Sequence, residues 1–221
     1  MKKRVLCYGD SNTWGYIPEG QPDGFHMRFP EDIRWTGVLQ SALGDDYAVV
    51  EEGLNGRTTS FDQHGFRCRN GLAYLESSLL THEPIDLAVI YLGINDLKLQ
   101  ICGDPKKSAE SLAALLDFVS RARLGPEGGP TKVLLILPPP LGAGILFPPF
   151  RDDFGGERAI AASRELNREY RKIAERLGID SLDGAAYAEP GADGLHLTAE
   201  SHVLLGHAVA EKVRVLLAEG A

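Results

Sequence analysis

Short continuous apolar runs alternate along this chain with segments whose apolar positions recur at helical spacing. The first run, Val5-Leu6-Cys7-Tyr8, has the length and composition of a buried strand. Residues 16–32 carry Pro18, Gly20, Pro22, Gly24 and Pro30 and predict a loop. From Ile33 to Leu43 the apolar positions 35, 38, 39 and 42 approach helical spacing, and the pattern stops at Gly44. Tyr47 to Val50 predicts a second strand, which leads into a glycine-bearing loop from Glu51 to Thr59. Residues 61–70 are polar without a period, and Gly71 to His82 reads as a helix. Asp86 to Leu92 predicts a third strand, followed directly by Gly93-Ile94-Asn95-Asp96.

Asp104-Pro105 marks a helix start with proline at the first helical position, and that helix is expected to reach about Leu124. Gly125 to Pro130 closes it, and Lys132 to Leu137 predicts a fourth strand. A loop rich in proline and phenylalanine, Pro138 to Phe150, comes next. A long charged helix from Gly156 to Leu177 ends at Gly178, and Ile179 to Leu182 is a short fifth strand. The last helix runs from Thr198, a good N-cap, to about Leu217. The crossovers are long enough for parallel pairing. The pattern therefore predicts an α/β fold of about five parallel strands with helices on both faces. No repeat or linker interrupts it, so a single domain over 1–221 is expected.

Composition narrows the partners. Hydrophobic residues make up 43% and charged residues 24%, ordinary for a soluble globular protein. A net charge of −8 argues against nucleic acid and anionic membranes. The three cysteines Cys7, Cys68 and Cys102 are odd in number and lack metal-type spacing, which suggests a reduced, cytoplasmic chain. Met1-Lys2-Lys3-Arg4 resembles a signal-peptide start, but the apolar run behind it is too short. No window approaches the ~20 apolar residues that span a bilayer.

The candidate chemistry is set by the sheet. In an open parallel sheet the strand C-termini share one edge, so the loops after strands one, two and three converge. That brings Ser11, Gly56 and Asn95 together. The loop Asp193-Gly194-Leu195-His196 joins them, and an Asp three residues before a His can reach Nδ1 while Nε2 points at Ser11. Backbone N–H groups of Ser11 and Gly56 and the Asn95 amide are candidate oxyanion donors. Asp180 and Asp183 are nearby rivals without that offset, and Asp10 reads as structural. Asn95 and Asp96 could also simply shape a turn, with Asp96 capping the next segment. Of the other histidines, His26, His64, His82, His202 and His207 read as surface or packing residues, with no zinc-type spacing. Arg57 could guide a carboxylate or sit in a salt bridge; Trp14 could wall an acyl pocket or fill the core. Leu141 to Phe150 reads as a subunit contact or a pocket rim.

Together these four blocks resemble the SGNH, or GDSL-type, hydrolases, whose Ser, Gly, Asn and His fall on Ser11, Gly56, Asn95 and His196, and whose acid falls on Asp193. The strings YGDSNTWGY, RWTGVLQ, EEGLNGRTT and LGIND are similar to the bacterial arylesterase/acyltransferase branch. That resemblance implies a flavodoxin-like three-layer sandwich, no metal and no organic cofactor. It further implies cleavage of small short-chain or aryl esters, acyl transfer to alcohols or peroxide, and homo-oligomers, octamers among them. Asn12 stands where the family motif usually has Leu, so Asn12 and Trp14 are expected at the acyl pocket, with bearing on how well transfer competes with hydrolysis. The alternatives within this chemistry are a carbohydrate acetylesterase and a thioesterase or lysophospholipase. Outside it stand a flavodoxin-like nucleotide-binding module and a non-catalytic interaction module. The first loop has neither Gly-x-Gly-x-x-Gly nor a Walker lysine, and it lacks the second glycine of Gly-x-Ser-x-Gly.

Overall fold

The computed structural model describes residues 2–19 and 27–218; His26 therefore lies outside the described residues. The described strands form one parallel sheet in the order β2-β1-β3-β4-β5, with β1 Lys3–Gly9, β2 Tyr47–Gly53, β3 Leu87–Tyr91, β4 Lys132–Leu137 and β5 Asp180–Asp183. This is the flavodoxin-like order, in which the chain leaves β1 in opposite directions and opens a crevice between β1 and β3.

The apolar run of β1 is continuous because both faces are covered. Successive side chains point to opposite faces of a strand. Val5 and Cys7 therefore join one core with Trp35, Leu39, Leu205, Val209 and Val213. Those partners lie on α2 (Trp35–Leu43) and α7 (Ala199–Ala218). Leu6 and Tyr8 enter the opposite core with Leu75, Leu79, Leu112, Leu115 and Leu166. These come from α3 (Gly71–His82), α4 (Pro105–Arg121) and α6 (Glu157–Leu177). Two short helices, α1 (Ser11–Trp14) and α5 (Phe150–Phe154), stand at the strand C-terminal edge.

Local signals hold at several ends. Asp104 Oδ1 accepts from the N–H groups of Lys106 and Lys107, with Pro105 at the first helical position. Thr198 Oγ1 accepts from Ser201 N–H at 3.1 Å, the expected N-cap of α7. The second strand, in contrast, continues past Val50 to Gly53, pairing Glu51 with Cys7 and Glu52 with Tyr8. Two carboxylates fit an edge strand here because each finds partners: Glu51 meets Arg34 at 2.7 Å and Arg28 at 3.2 Å, and Glu52 lies 3.8 Å from Arg57 and 3.0 Å from the His82 ring. The predicted loop from Pro138 contains a 3-10 turn, Ala143–Leu146, and ends in α5. α4 stops at Arg121, a turn before Leu124.

Candidate active site

Ser11 occupies the first residue of α1, immediately beyond β1. The turn is tight enough that a side chain could not replace two glycines. A Cβ on Gly9 would lie 2.0 Å from Thr13 Oγ1, and one on Gly53 would lie 2.3 Å from Trp14 N. Asp10 caps α1, its Oδ1 accepting from Asn12 N–H at 2.9 Å. The loop Asp193–His196 turns at Gly194, whose φ is +72°, and Gly194 C=O accepts from Gly142 N–H at 2.8 Å.

The chain ends meet as expected. Ser11 Oγ and His196 Nε2 are 3.0 Å apart, and His196 Nδ1 and Asp193 Oδ2 are 2.6 Å apart. Asp193 Oδ1 accepts from the N–H groups of Leu195 (2.8 Å) and His196 (2.9 Å), which fixes the carboxylate as well as the loop. Burial pushes the Asp193 carboxyl up, but hydrogen bonds from the His196 ring, its N–H and that of Leu195 outweigh this and hold it below the usual range. The rival acids are engaged elsewhere: Asp183 pairs with Arg171 at 2.8 Å, and Asp180 lies 3.8 Å from Lys212.

Asn95 arrives on a 3-10 turn after β3, Ile94–Leu97. Its Nδ2 donates to Arg57 C=O (3.2 Å) and, more distantly, to Asp10 Oδ2 (3.4 Å). Gly56 has φ +76° on the loop after β2. Neither Gly56 N–H nor Ser11 N–H donates to another group among the described residues. Asp96 ties the two loops together: it accepts from Thr59 N–H (3.0 Å), Thr59 Oγ1 (2.6 Å) and Ser108 Oγ (2.5 Å). It is therefore a cross-brace rather than a cap on the next segment. Burial pushes both Asp10 and Asp96 up to about 6, against the hydrogen bonds each accepts.

Asn12 is corrected by the structure. Expected at the acyl pocket, it is 3% exposed and has both ends of its amide occupied. Oδ1 accepts from Leu197 N–H at 3.0 Å, and Nδ2 donates to Leu195 C=O at 3.4 Å. The residue beside the serine therefore clasps the backbone on either side of His196, which a leucine could not do. Asn12→Leu is expected to destabilise the protein by about 1–3 kcal/mol in urea unfolding, because it strands the buried Leu197 N–H. Trp14 is half-buried, with Arg28 5.2 Å above its ring and Tyr16 at 6.4 Å. Among the described residues the rings nearest the imidazole are Tyr16 (4.2 Å), not singled out by the sequence, and Phe150 (6.0 Å), the last residue of the segment read as a subunit contact or a pocket rim. Phe150 places the end of the Pro138–Phe150 loop at the site, whereas Leu141 and Ile145 enter the core and Phe147 is 67% exposed. Arg57 is structural: it stacks 4.0 Å from the Tyr8 ring centroid, donates to Gly9 C=O and lies 3.8 Å from Glu52.

His202 is fully buried behind the site, its Nδ1 accepting from Trp35 N–H at 3.3 Å. Burial, aided by His196, pulls its pKa down to about 3. The unfolded chain, near 6.5, then binds the proton that the folded chain refuses, so His202 removes stability as pH falls from 6.5 toward 3. Asp10 and Asp96, raised in the fold, act in the opposite sense between about 6 and 3.8. His202→Leu is therefore expected to show a smaller acid loss than wild type, by up to about 1.4 kcal/mol per pH unit, read as urea midpoints against pH.

A flavodoxin-like sheet carrying hydroxyl, imidazole and carboxylate in hydrogen-bonded series at its switch point has the constellation of a serine hydrolase. Similarity to known proteins points the same way. The chain matches the GDSL-like Lipase/Acylhydrolase family over residues 7–204 and belongs to it. Among solved structures it is similar to Est24, a carbohydrate acetylesterase from Sinorhizobium meliloti, at 38% identity and TM-score 0.88, covering 97% of this chain and 100% of that one. It is also similar to the native aryl esterase of M. smegmatis, at 40% identity and TM-score 0.87, covering 97% and 99%. A lipase/acylhydrolase from Enterococcus faecalis, at 22% identity and TM-score 0.67 over 96% of each chain, shares the fold. A comparison with curated protein sequences finds no match. Among the described residues no three His, Cys, Asp or Glu side chains cluster as metal ligands, and no helix is long and apolar enough to cross a membrane.

Proposed function

We propose that this chain is a serine esterase that cleaves short-chain or aryl carboxylic esters through an acyl-enzyme. The observation that carries the reading is the 3.0 Å and 2.6 Å series from Ser11 through His196 to Asp193. His196, oriented by Asp193, takes the Ser11 proton as Oγ attacks the ester carbonyl, and then delivers it to the leaving alcohol or phenol. The oxyanion is received by the uncommitted N–H groups of Ser11 and Gly56 and by the Asn95 amide, which exchanges its long contact to Asp10 for the new charge. Water then repeats the sequence on the acyl-enzyme. An alcohol in its place gives acyl transfer.

Similarity to Est24 favours a second reading, removal of acetyl groups from carbohydrate. Three free thiols, Cys7, Cys68 and Cys102, support the cytoplasmic location proposed from the sequence. Homo-oligomerisation is proposed from the family resemblance alone, and sedimentation would test it. Labelling by a fluorophosphonate, combined with a panel of aryl esters and acetylated sugars, tests the esterase reading. One labelled serine and turnover of the aryl esters are expected; absence of both would overturn it.

A further inference from the structure

Two cations on the segments around this site, Arg69 and Lys98, form no ion pair among the described residues. Arg69 lies against Gly56: a Cβ on that glycine would be 3.8 Å from Arg69 Cδ and Nε and 3.9 Å from Cζ. The backbone sets this contact, since Arg69 C=O accepts from Thr58 N–H at 2.8 Å and from Thr58 Oγ1 at 3.1 Å. Lys98 lies three residues beyond Asn95, its N–H donating to Asn95 C=O at 3.2 Å. Its ammonium stands 5.6 Å from the Phe154 ring centroid. Each cation therefore rides on a segment that also carries a proposed oxyanion donor.

Among the described residues neither side chain forms an ion pair, although the chain has 31 acidic residues to draw on. Arg69 Nη1 is shielded from solvent and has no hydrogen-bond partner. Of the charges around Lys98, Asp153 acts on it most, then Asp10, and Arg69 opposes both. A shielded guanidinium N–H without an acceptor is costly, and so is bringing two like charges together. Arg57, which the fold uses for structure, differs in having carbonyl acceptors and a carboxylate at 3.8 Å, although its Nε is also buried without a partner and both it and Arg69 lie over an aromatic ring, Tyr8 and Phe66. Asn55, the residue before Gly56, also leaves its buried amide oxygen unpaired, and turned about its terminal bond that amide would add a neutral donor to the same corner.

We propose that the substrate is an ester carrying a carboxylate, held by Arg69 and Lys98 beside the oxyanion position. A planar guanidinium matches a carboxylate with two parallel hydrogen bonds, while the ammonium supplies a second charge. The proposal rests on the esterase reading and names its substrate class.

Two matched pairs test it. With the anion on the acyl side, the para-nitrophenyl monoester of glutaric acid is compared with its methyl-capped diester. With the anion on the alcohol side, para-acetoxybenzoate is compared with methyl para-acetoxybenzoate. In at least one pair the acid is expected to exceed the neutral ester about tenfold in kcat/KM. That ratio is expected to shrink as salt is raised, and to fall about tenfold in Arg69→Gln and in Lys98→Gln. A ratio at or below one in both pairs, or one that neither variant lowers, overturns the proposal. If the variants do not fold, the wild-type ratios and their salt dependence decide. Ser11-dependent turnover of the neutral esters would leave the esterase reading standing even then.

Discussion

Ser11→Ala is expected to lower kcat on para-nitrophenyl acetate by about 10⁴-fold or more and to abolish fluorophosphonate labelling. The nucleophile and its base act as one unit, so removing either forfeits the covalent route and leaves only the oxyanion donors and binding. The fold should survive. Among the described residues the one side-chain hydrogen bond of Ser11 is to His196, and α1 is held instead by the Asp10 cap and by close packing on Gly9 and Gly53. The measurement is kcat with a thermal melt as control. A folded Ser11→Ala protein as active as wild type would place the nucleophile elsewhere.

Asp193→Asn is expected to lower kcat by about 10⁴-fold with the fold intact. The reason lies in which atom faces which partner. Asp193 Oδ1 accepts the N–H groups of Leu195 and His196, so an asparagine keeps its carbonyl oxygen there to preserve the loop. Its NH₂ must then face His196 Nδ1, where the carboxylate oxygen had been. Nδ1 becomes an acceptor, the ring proton moves to Nε2, and Nε2 can no longer accept from Ser11. Kinetics near neutral pH, with unfolding in urea as control, check this. A loss below about tenfold would show that Asp193 does not select the tautomer.

Much of this architecture is legible in the residues. The runs Val5–Tyr8 and Asp86–Leu92 read as buried strands because helices cover both faces of the sheet, leaving no polar alternation to blur them. The edge strand β2 is misread at its end, since Glu51 and Glu52 look like loop until Arg34, Arg28 and His82 arrive from elsewhere in the chain. Asn12 is misassigned for a related reason. The resemblance to a family motif that usually has Leu at this position implies a pocket residue, and only the return of the chain at Leu195–Leu197 shows that both ends of its amide are already engaged. Tyr16 gives no local signal, and the apolar run ending at Phe150 leaves rim and subunit contact open, because a ring's distance from an imidazole belongs to neither segment alone.

The order of strands and helices and the parallel sheet are determined by the amino-acid sequence, because periodicity and spacing are properties of neighbouring residues. Ser11, Gly56, Asn95, Asp193 and His196 are legible as a set only through the loops that such a sheet brings together and the resemblance to a known family. Only the tertiary structure decides that Asn12 clasps the histidine loop, that Asp96 braces one donor segment against the other, and that Arg69 packs against Gly56. Whether a polar group is spent or available depends on partners tens or hundreds of residues away, and folding alone brings them within reach.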